Sequence, residues 1–275
     1  MHASTLLLSA LAAFAVAAPT YPQLNVDAVT PAGLDALSDY FNKLAQKVQQ
    51  SKSLAEAPAC DLTKAVLPRQ PPSPSSLPDP TKGLVLKHVA IGRGTQNYTC
   101  ANDTAAPVLA GAVAALYNAS CLAAAQPELM GPLAQASLAA GLALRPGETP
   151  LTVTARLAPS QLVVSGRHFF RDPTTPFFDL DAQPADQIGT APTAKNNTEP
   201  APAGAPRGQK GEAAVPWLKL LAKEGATGDL REVYRVETVG GSAPPSCKDM
   251  PASFEVQYAA QYWFYEGKPQ EQQQS

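Results

Sequence analysis

Two histidines, His88 and His168, are the residues of this chain best suited to acid–base chemistry. An imidazole moves protons near neutral pH only when a charged or polar neighbour positions it. The nearby candidates are Arg93, Arg167 and Asp172, the last four residues after His168, and together the five define a candidate cleft for a hydrolase-type reaction. A second constellation serves binding instead. Trp263 and Tyr265 fall on the face of a long strand-like segment opposite its apolar one, and share it with Gln257 and Gln261. Flat rings beside amides are the ingredients of a sugar platform. A third, Asp179 and Asp181 beside Phe177 and Phe178, is the one carboxylate pair with glycosidase-like potential, and its spacing does not separate a site from a loop.

Other chemistries lack their residues. The only glycine-rich turn after a strand is Gly92-Arg93-Gly94, continuing to Asn97. The third glycine of a dinucleotide fingerprint is missing, and a cysteine follows where a helix should open. No acidic residue stands about twenty positions on to hold a ribose. No G-x-S-x-G elbow is present, and the histidines are too isolated in sequence for zinc. No cofactor is expected.

The elements that must position these residues read mainly as strands. Leu84–Ile91 and Thr95–Cys100 form a strand pair broken at Gly92-Arg93-Gly94, the pattern of a bulge or bend. Gly111–Asn118 follows, then an alanine-rich helical run from Leu122 to Leu142 interrupted at Pro127 and Gly131-Pro132. Leu151–Leu157 and Leu162–Phe170 alternate as a hairpin, and Thr174–Asp181 reads as an apolar edge. Val215–Ala222 reads as half strand and half helix. Leu230–Val239 alternates cleanly, and Phe254–Tyr265 is the strongest strand pattern, with Phe254, Val256, Tyr258, Ala260, Tyr262 and Phe264 on one face. Residues 182–213 contain too little apolar surface for a core and predict a mobile loop. Several short strands separated by turns predict a mainly β domain, an antiparallel sandwich or barrel with a few short helices.

Ahead of this domain, Leu6–Val16 is an apolar run of signal-peptide length ending in Ala15-Val16-Ala17, so residues 1–17 are expected to be removed on secretion. Thr30-Pro31 opens an amphipathic helix with Leu34, Leu37, Phe41, Leu44 and Val48 on one stripe. Residues 18–67 make an N-terminal segment, and 68–82 a Pro/Ser-rich linker to the domain at 83–267. Residues 268–275 form a disordered tail with no hydrophobic anchor. Four sequons, at Asn97, Asn102, Asn118 and Asn196, and four cysteines fit an oxidising, glycosylating compartment. Cys60, Cys100, Cys121 and Cys247 allow three pairings; bracketing a hairpin favours Cys100–Cys121 with Cys60–Cys247. The formal charge of -2 gives no basic surface for nucleic acid.

Six blocks now carry a resemblance: GLVLKHVAIGRGTQNYTC, GAVAALYNASC, GRHFF with TTPFFDL, VPWLKL, VYRVETVGGSAPPSC and VQYAAQYWFY. In this order they resemble the secreted fungal branch of domain of unknown function family 3455, over residues 83 to 265. The resemblance implies a β-rich extracellular domain without an established activity. Sequences of this kind are often labelled malate dehydrogenase, a label at odds with the missing dinucleotide site. The expected function is a binding or interaction module at the cell wall or extracellular surface, its partner a cell-wall polysaccharide or an extracellular protein. An extracellular hydrolase using His88 or His168 is the alternative.

Overall fold

The computed structural model describes residues 60–70, 76–139, 156–157, 160, 162–181 and 187–267. The signal-like run, the helix expected at 34–48 and the tail lie outside the described residues, as does most of Leu151–Leu157.

Among the described residues nine strands run in chain order: β1 (Leu84–Thr99), β2 (Val108–Asn118), β3 (Arg156–Leu157), β4 (Leu162–Asp172), β5 (Thr175–Asp179), β6 (Thr190–Glu199), β7 (Trp217–Ala222), β8 (Leu230–Gly240) and β9 (Ser253–Gly267). Every pairing is antiparallel. Each long strand pairs with its neighbours in sequence, β4 pairs back onto β2, and β9 returns to β1. The result is a closed eight-stranded barrel, with β3 a two-residue addition to β4. Closure leaves no long edge to template aggregation. A barrel of this size is just wide enough for side chains to fill.

The fillers come from one face of each strand: Ala90, Leu116, Phe178, Leu220, Val233, Tyr258, Tyr262 and Phe264 among them. They explain the Gly-Arg-Gly segment. β1 is continuous through it, not broken as its sequence suggested. A Cβ at Gly92 would meet the Tyr262 ring, and one at Gly94 would meet the Val113 carbonyl of β2. The glycines make room for large neighbours. Register shifts fall elsewhere, between Leu86 and His88 and between Asn97 and Tyr98.

The outer face of half the barrel is a second core. Val89, Ile91, Tyr117 and Trp263 lie in it beneath two helices, α1 (Ser120–Ala125) and α2 (Met130–Ala139), and Tyr234 and Val236 belong to the same cluster. In α2, Met130, Leu133, Ala134, Ser137 and Leu138 are buried, a stripe at helical spacing laid across β9, β1 and β8. Gly131-Pro132 does not interrupt this helix, because proline is tolerated in a first turn, where the N–H has no intrahelical partner.

Other expectations are corrected by pairing. Thr175–Asp179 is no edge: it lies between β4 and β6. The expected loop 182–213 contains β6, which is polar yet hydrogen-bonded to strands on both sides. Val215–Ala222 contains no helix; β7 begins at Trp217. The disulfides are Cys60–Cys121 and Cys100–Cys247, with Cα separations of 5.1 and 5.7 Å. The hairpin pairing fails for length. β2 spans 11 residues, or about 35 Å at ~3.3 Å per residue. It carries Cys121 to the far end of the barrel from Cys100. Cys100 instead sits beside the turn before β9, where its N–H donates to Ala252 O and Cys247 N–H donates to Ala105 O.

Candidate functional site

The expected cleft does not assemble. His88 points between β4 and α1: its Nε2 lies 2.9 Å from Ser165 Oγ and its Nδ1 3.1 Å from Ser120 Oγ. Ser120 also accepts from Val89 N–H, and Ser165 lies 3.4 Å from Leu116 O. A Ser–His contact resembles the start of a nucleophilic relay, but the ring is 3% exposed and no carboxylate orients it. Burial lowers its pKa to about 4, so it is neutral and cross-links β1, β4 and α1. His168 donates from Nδ1 to Phe177 O at 3.0 Å and stacks on Phe178 at 4.3 Å. Its pKa is also lowered to about 4, mainly by burial and further by the positive charge of Arg235.

The proposed helpers are elsewhere. Arg93 faces outward, where Nε donates to Ser137 O near the C-terminus of α2 and Nη2 to Gln257 Oε1. Arg167 is exposed. Asp172 is exposed and accepts from the Thr174 N–H and hydroxyl in its turn, bonds that hold its carboxyl down to about 2. Asp179 accepts from Asp181 N–H, and Asp181 from Gly189 N–H, so this pair shapes a loop.

The sugar platform is also corrected. The faces of β9 alternate as read, but both are covered. Trp263 is 1% exposed and Tyr265 8%, beneath the outer cover. Trp263 Nε1 donates to buried Gln261 Oε1, and Gln257 is engaged by Arg93. No ring of this group meets solvent as a platform.

A different site does assemble, where the expected linker lies down on the barrel. Residues 60–70 and 76–82 form a strap across β7 and β8, fastened first by Cys60–Cys121. Further on, Gln70 Nε2 donates to Pro200 O. The other fastening is ionic. Lys219 of β7 and Glu232 of β8 form an ion pair at 3.1 Å with side chains only 6% and 3% exposed. Glu232 accepts from the Thr81 N–H and hydroxyl, and Lys219 Nζ donates to Asp79 O at 2.9 Å. Tyr234 hydroxyl donates to Pro78 O at 2.9 Å; burial and the adjacent Glu232 push its pKa well above the ordinary phenol value.

Between strap and strands lies a cavity of about 490 Å³, inside the range of small-ligand sites. Trp217 and Tyr234 form its barrel wall, with Leu67 and Leu77 opposite. An Arg69–Asp79 ion pair at 2.8 Å stands among its lining residues, both side chains largely exposed. Trp217 is 2% exposed and its Nε1 has no hydrogen-bond partner. A buried indole N–H nearly always has one. The sequence carried one signal of this site: Trp217 and Lys219 share a face of β7, and Glu232 and Tyr234 a face of β8, so opposite charges recur beside aromatics on consecutive strands.

Residues 80–266 match the model of a family described as Protein of unknown function (DUF3455). The chain belongs to this family. The DUF3455 span takes in the barrel strands, including Trp217, Lys219, Glu232 and Tyr234, whereas the cavity wall at 67–70 and 76–79 lies before it. The chain matches no curated protein and no solved structure. Among the described residues, no helix is long and apolar enough to cross a membrane.

Proposed function

We propose that this protein is a secreted glycoprotein that acts as a binding module at the cell wall or extracellular surface, holding a short saccharide in the cavity between strap and barrel. The unpartnered Nε1 of Trp217 carries the reading. It needs an acceptor that a sugar hydroxyl or ring oxygen supplies, while the Trp217 and Tyr234 rings offer the flat apolar surface that the C–H face of a sugar covers. Arg69, Gln70 and Asp79 add polar groups to the lining, the usual division of labour in such pockets.

The extracellular setting is supported by the signal-like run at 6–17, by two disulfides, and by Asn102, Asn118 and Asn196, which are exposed. Asn196 also falls at a register shift of β6, with no partner opposite it in β7. The hydrolase reading has less support, since both histidines are buried and neutral and neither faces a carboxylate.

The chain has only two tryptophans, and of these Trp217 lines the cavity, so a ligand-induced change in intrinsic fluorescence reports mainly on Trp217. Titration of the disulfide-intact protein with chito- and β-glucan oligosaccharides is expected to give a saturable change. Trp217→Phe keeps a ring but removes the donor and the fluorescent reporter, so its affinity is read by isothermal titration calorimetry, where binding is expected to weaken roughly tenfold, the worth of one net hydrogen bond. No saturable change with any oligosaccharide in a thermal-shift screen of the same panel, or equal affinity in Trp217→Phe, would refute the proposal.

A further inference from the structure

The two stretches of strap that wall the cavity are fastened by different chemistry. The stretch at 76–79 is locked from below. Lys219 donates to Asp79 O, Tyr234 hydroxyl to Pro78 O, and Glu232 takes the Thr81 N–H and hydroxyl, all around a buried ion pair. The stretch at 67–70 hangs from weaker ties. Gln70 Nε2 donates to Pro200 O at the surface, and Arg69 pairs with Asp79 where both side chains are largely exposed. Contacts of this kind contribute little. Ala65 and Leu67 pack on the outer core but are only partly buried, and the turn before them, Leu62–Lys64, buries no residue. What fixes this wall is covalent: the bond from Cys60 to Cys121 of α1.

The two disulfides also differ in access. Cys121 is exposed and Cys60 half-buried, whereas Cys247 is 0% exposed. Cys100–Cys247 is set in the barrel framework, where Cys100 N–H donates to Ala252 O and Cys247 N–H to Ala105 O. It lies inside the span matched by the family model, while Cys60, like the wall it holds, precedes that span. Thiol–disulfide exchange needs a thiolate to reach a sulfur, so access decides which bond a reductant finds first.

We propose that Cys60–Cys121 is a reductant-sensitive latch on the cavity. A dithiol reductant opens it and frees residues 60–70, while the barrel and the stretch at 76–82 stay in place. One thiolate of the dithiol attacks Cys121 Sγ; the Cys60–Cys121 bond breaks, and Cys60 leaves as a thiolate that takes a proton from water. The second thiolate then attacks the reductant's own sulfur in the mixed disulfide and releases Cys121 as a thiol. Two electrons pass, the dithiol becoming a disulfide and the cystine two cysteines. The cavity loses the wall at Leu67 and opens toward Trp217. The effect on a bound saccharide rests on the function proposed above; the opening does not.

The test is graded reduction of the native protein with dithiothreitol, trapping of free thiols with iodoacetamide, and location of the labelled cysteines by peptide mass spectrometry. Cys60 and Cys121 are expected to label together at a roughly tenfold lower dithiothreitol concentration than Cys100 and Cys247. Protein trapped at that stage is expected to keep its circular dichroism, while acrylamide comes to quench about half of the tryptophan emission, that of Trp217 among the chain's two. Cys60→Ser with Cys121→Ser is expected to show this quenching without reductant and no further change when it is added. Quenching is read without ligand, so failure of the latch and failure of the saccharide reading are separate results; where an oligosaccharide does bind, its Kd for the trapped form is expected to rise roughly tenfold. Labelling of all four cysteines at one dithiothreitol concentration, or labelling of Cys60 and Cys121 with no gain in quenching, would overturn the proposal.

Discussion

Replacing His168 by asparagine isolates one of the two buried imidazoles that make this barrel sensitive to mild acid. Both His88 and His168 have folded pKa values lowered to about 4, from 6.5 in the unfolded chain. The unfolded chain therefore binds protons that the folded one refuses. The stability is fully present above pH 6.5 and is lost as pH falls toward 4. Between pH 7.0 and 5.5 each histidine removes about 1.3 kcal/mol, and the pair about 2.5 kcal/mol, by the same linkage. That window avoids the lowered carboxyls of Asp61 and Asp172, which act only at lower pH. Glu237, raised by burial, opposes the trend as its own folded pKa is approached. His168→Asn places an amide N–H where Nδ1–H meets Phe177 O, so the hydrogen bond survives and the titration does not. The lost stacking on Phe178 lowers stability equally at every pH. Unfolding free energies from urea titrations at pH 7.0 and 5.5 should differ by about 2.5 kcal/mol in wild type and about 1.3 kcal/mol in His168→Asn. An undiminished pH dependence in the variant would show that the imidazole of His168 does not titrate as its burial requires.

The strap yields two more predictions. Lys219→Met leaves Glu232 buried without a cation and should destabilise by about 3–5 kcal/mol, whereas the double variant with Glu232→Leu should recover part of that loss in urea unfolding, as apolar replacements of buried pairs do. Cys60→Ser with Cys121→Ser removes a crosslink over a separation of 61 residues, at most roughly 4 kcal/mol of loop entropy; limited proteolysis should then cut ahead of Thr81 while the barrel's circular dichroism is kept, and an unchanged cleavage rate would mean the ionic fastening alone holds the strap.

The barrel was legible where side chains alternate by physical necessity. The two faces of β9 were assigned correctly because an interior crowded with Tyr258, Tyr262 and Phe264 leaves its imprint at every second residue. What alternation does not encode is whether the other face is covered. The cover of Trp263 comes from α2, more than a hundred residues earlier, so its burial is not a local property of the strand. β6 was unreadable for the opposite reason. Its residues are threonine, alanine, asparagine, lysine, proline and glutamate, and only backbone hydrogen bonds to β5 and β7 make them a strand. The disulfides went astray because Cys100 and Cys121 were taken to bracket a hairpin, whereas the 11 residues of β2 carry Cys121 to the far end of the barrel.

Chemistry was misplaced by the same mechanism. Histidine and tryptophan were singled out by type, yet a closed barrel with a second core on its outside buries whatever its long strands carry. Unpartnered donors survive where that cover changes hands. On the outer face the helices lie over β1, β8 and β9, the strap over β7 and β8, and Trp217 faces the cavity beneath the strap. That cavity depends on residues 68–70 and 76–79, a stretch of low apolar content that composition alone marks as linker. The strands fix the position of the donor, and this unremarkable stretch decides what can reach it.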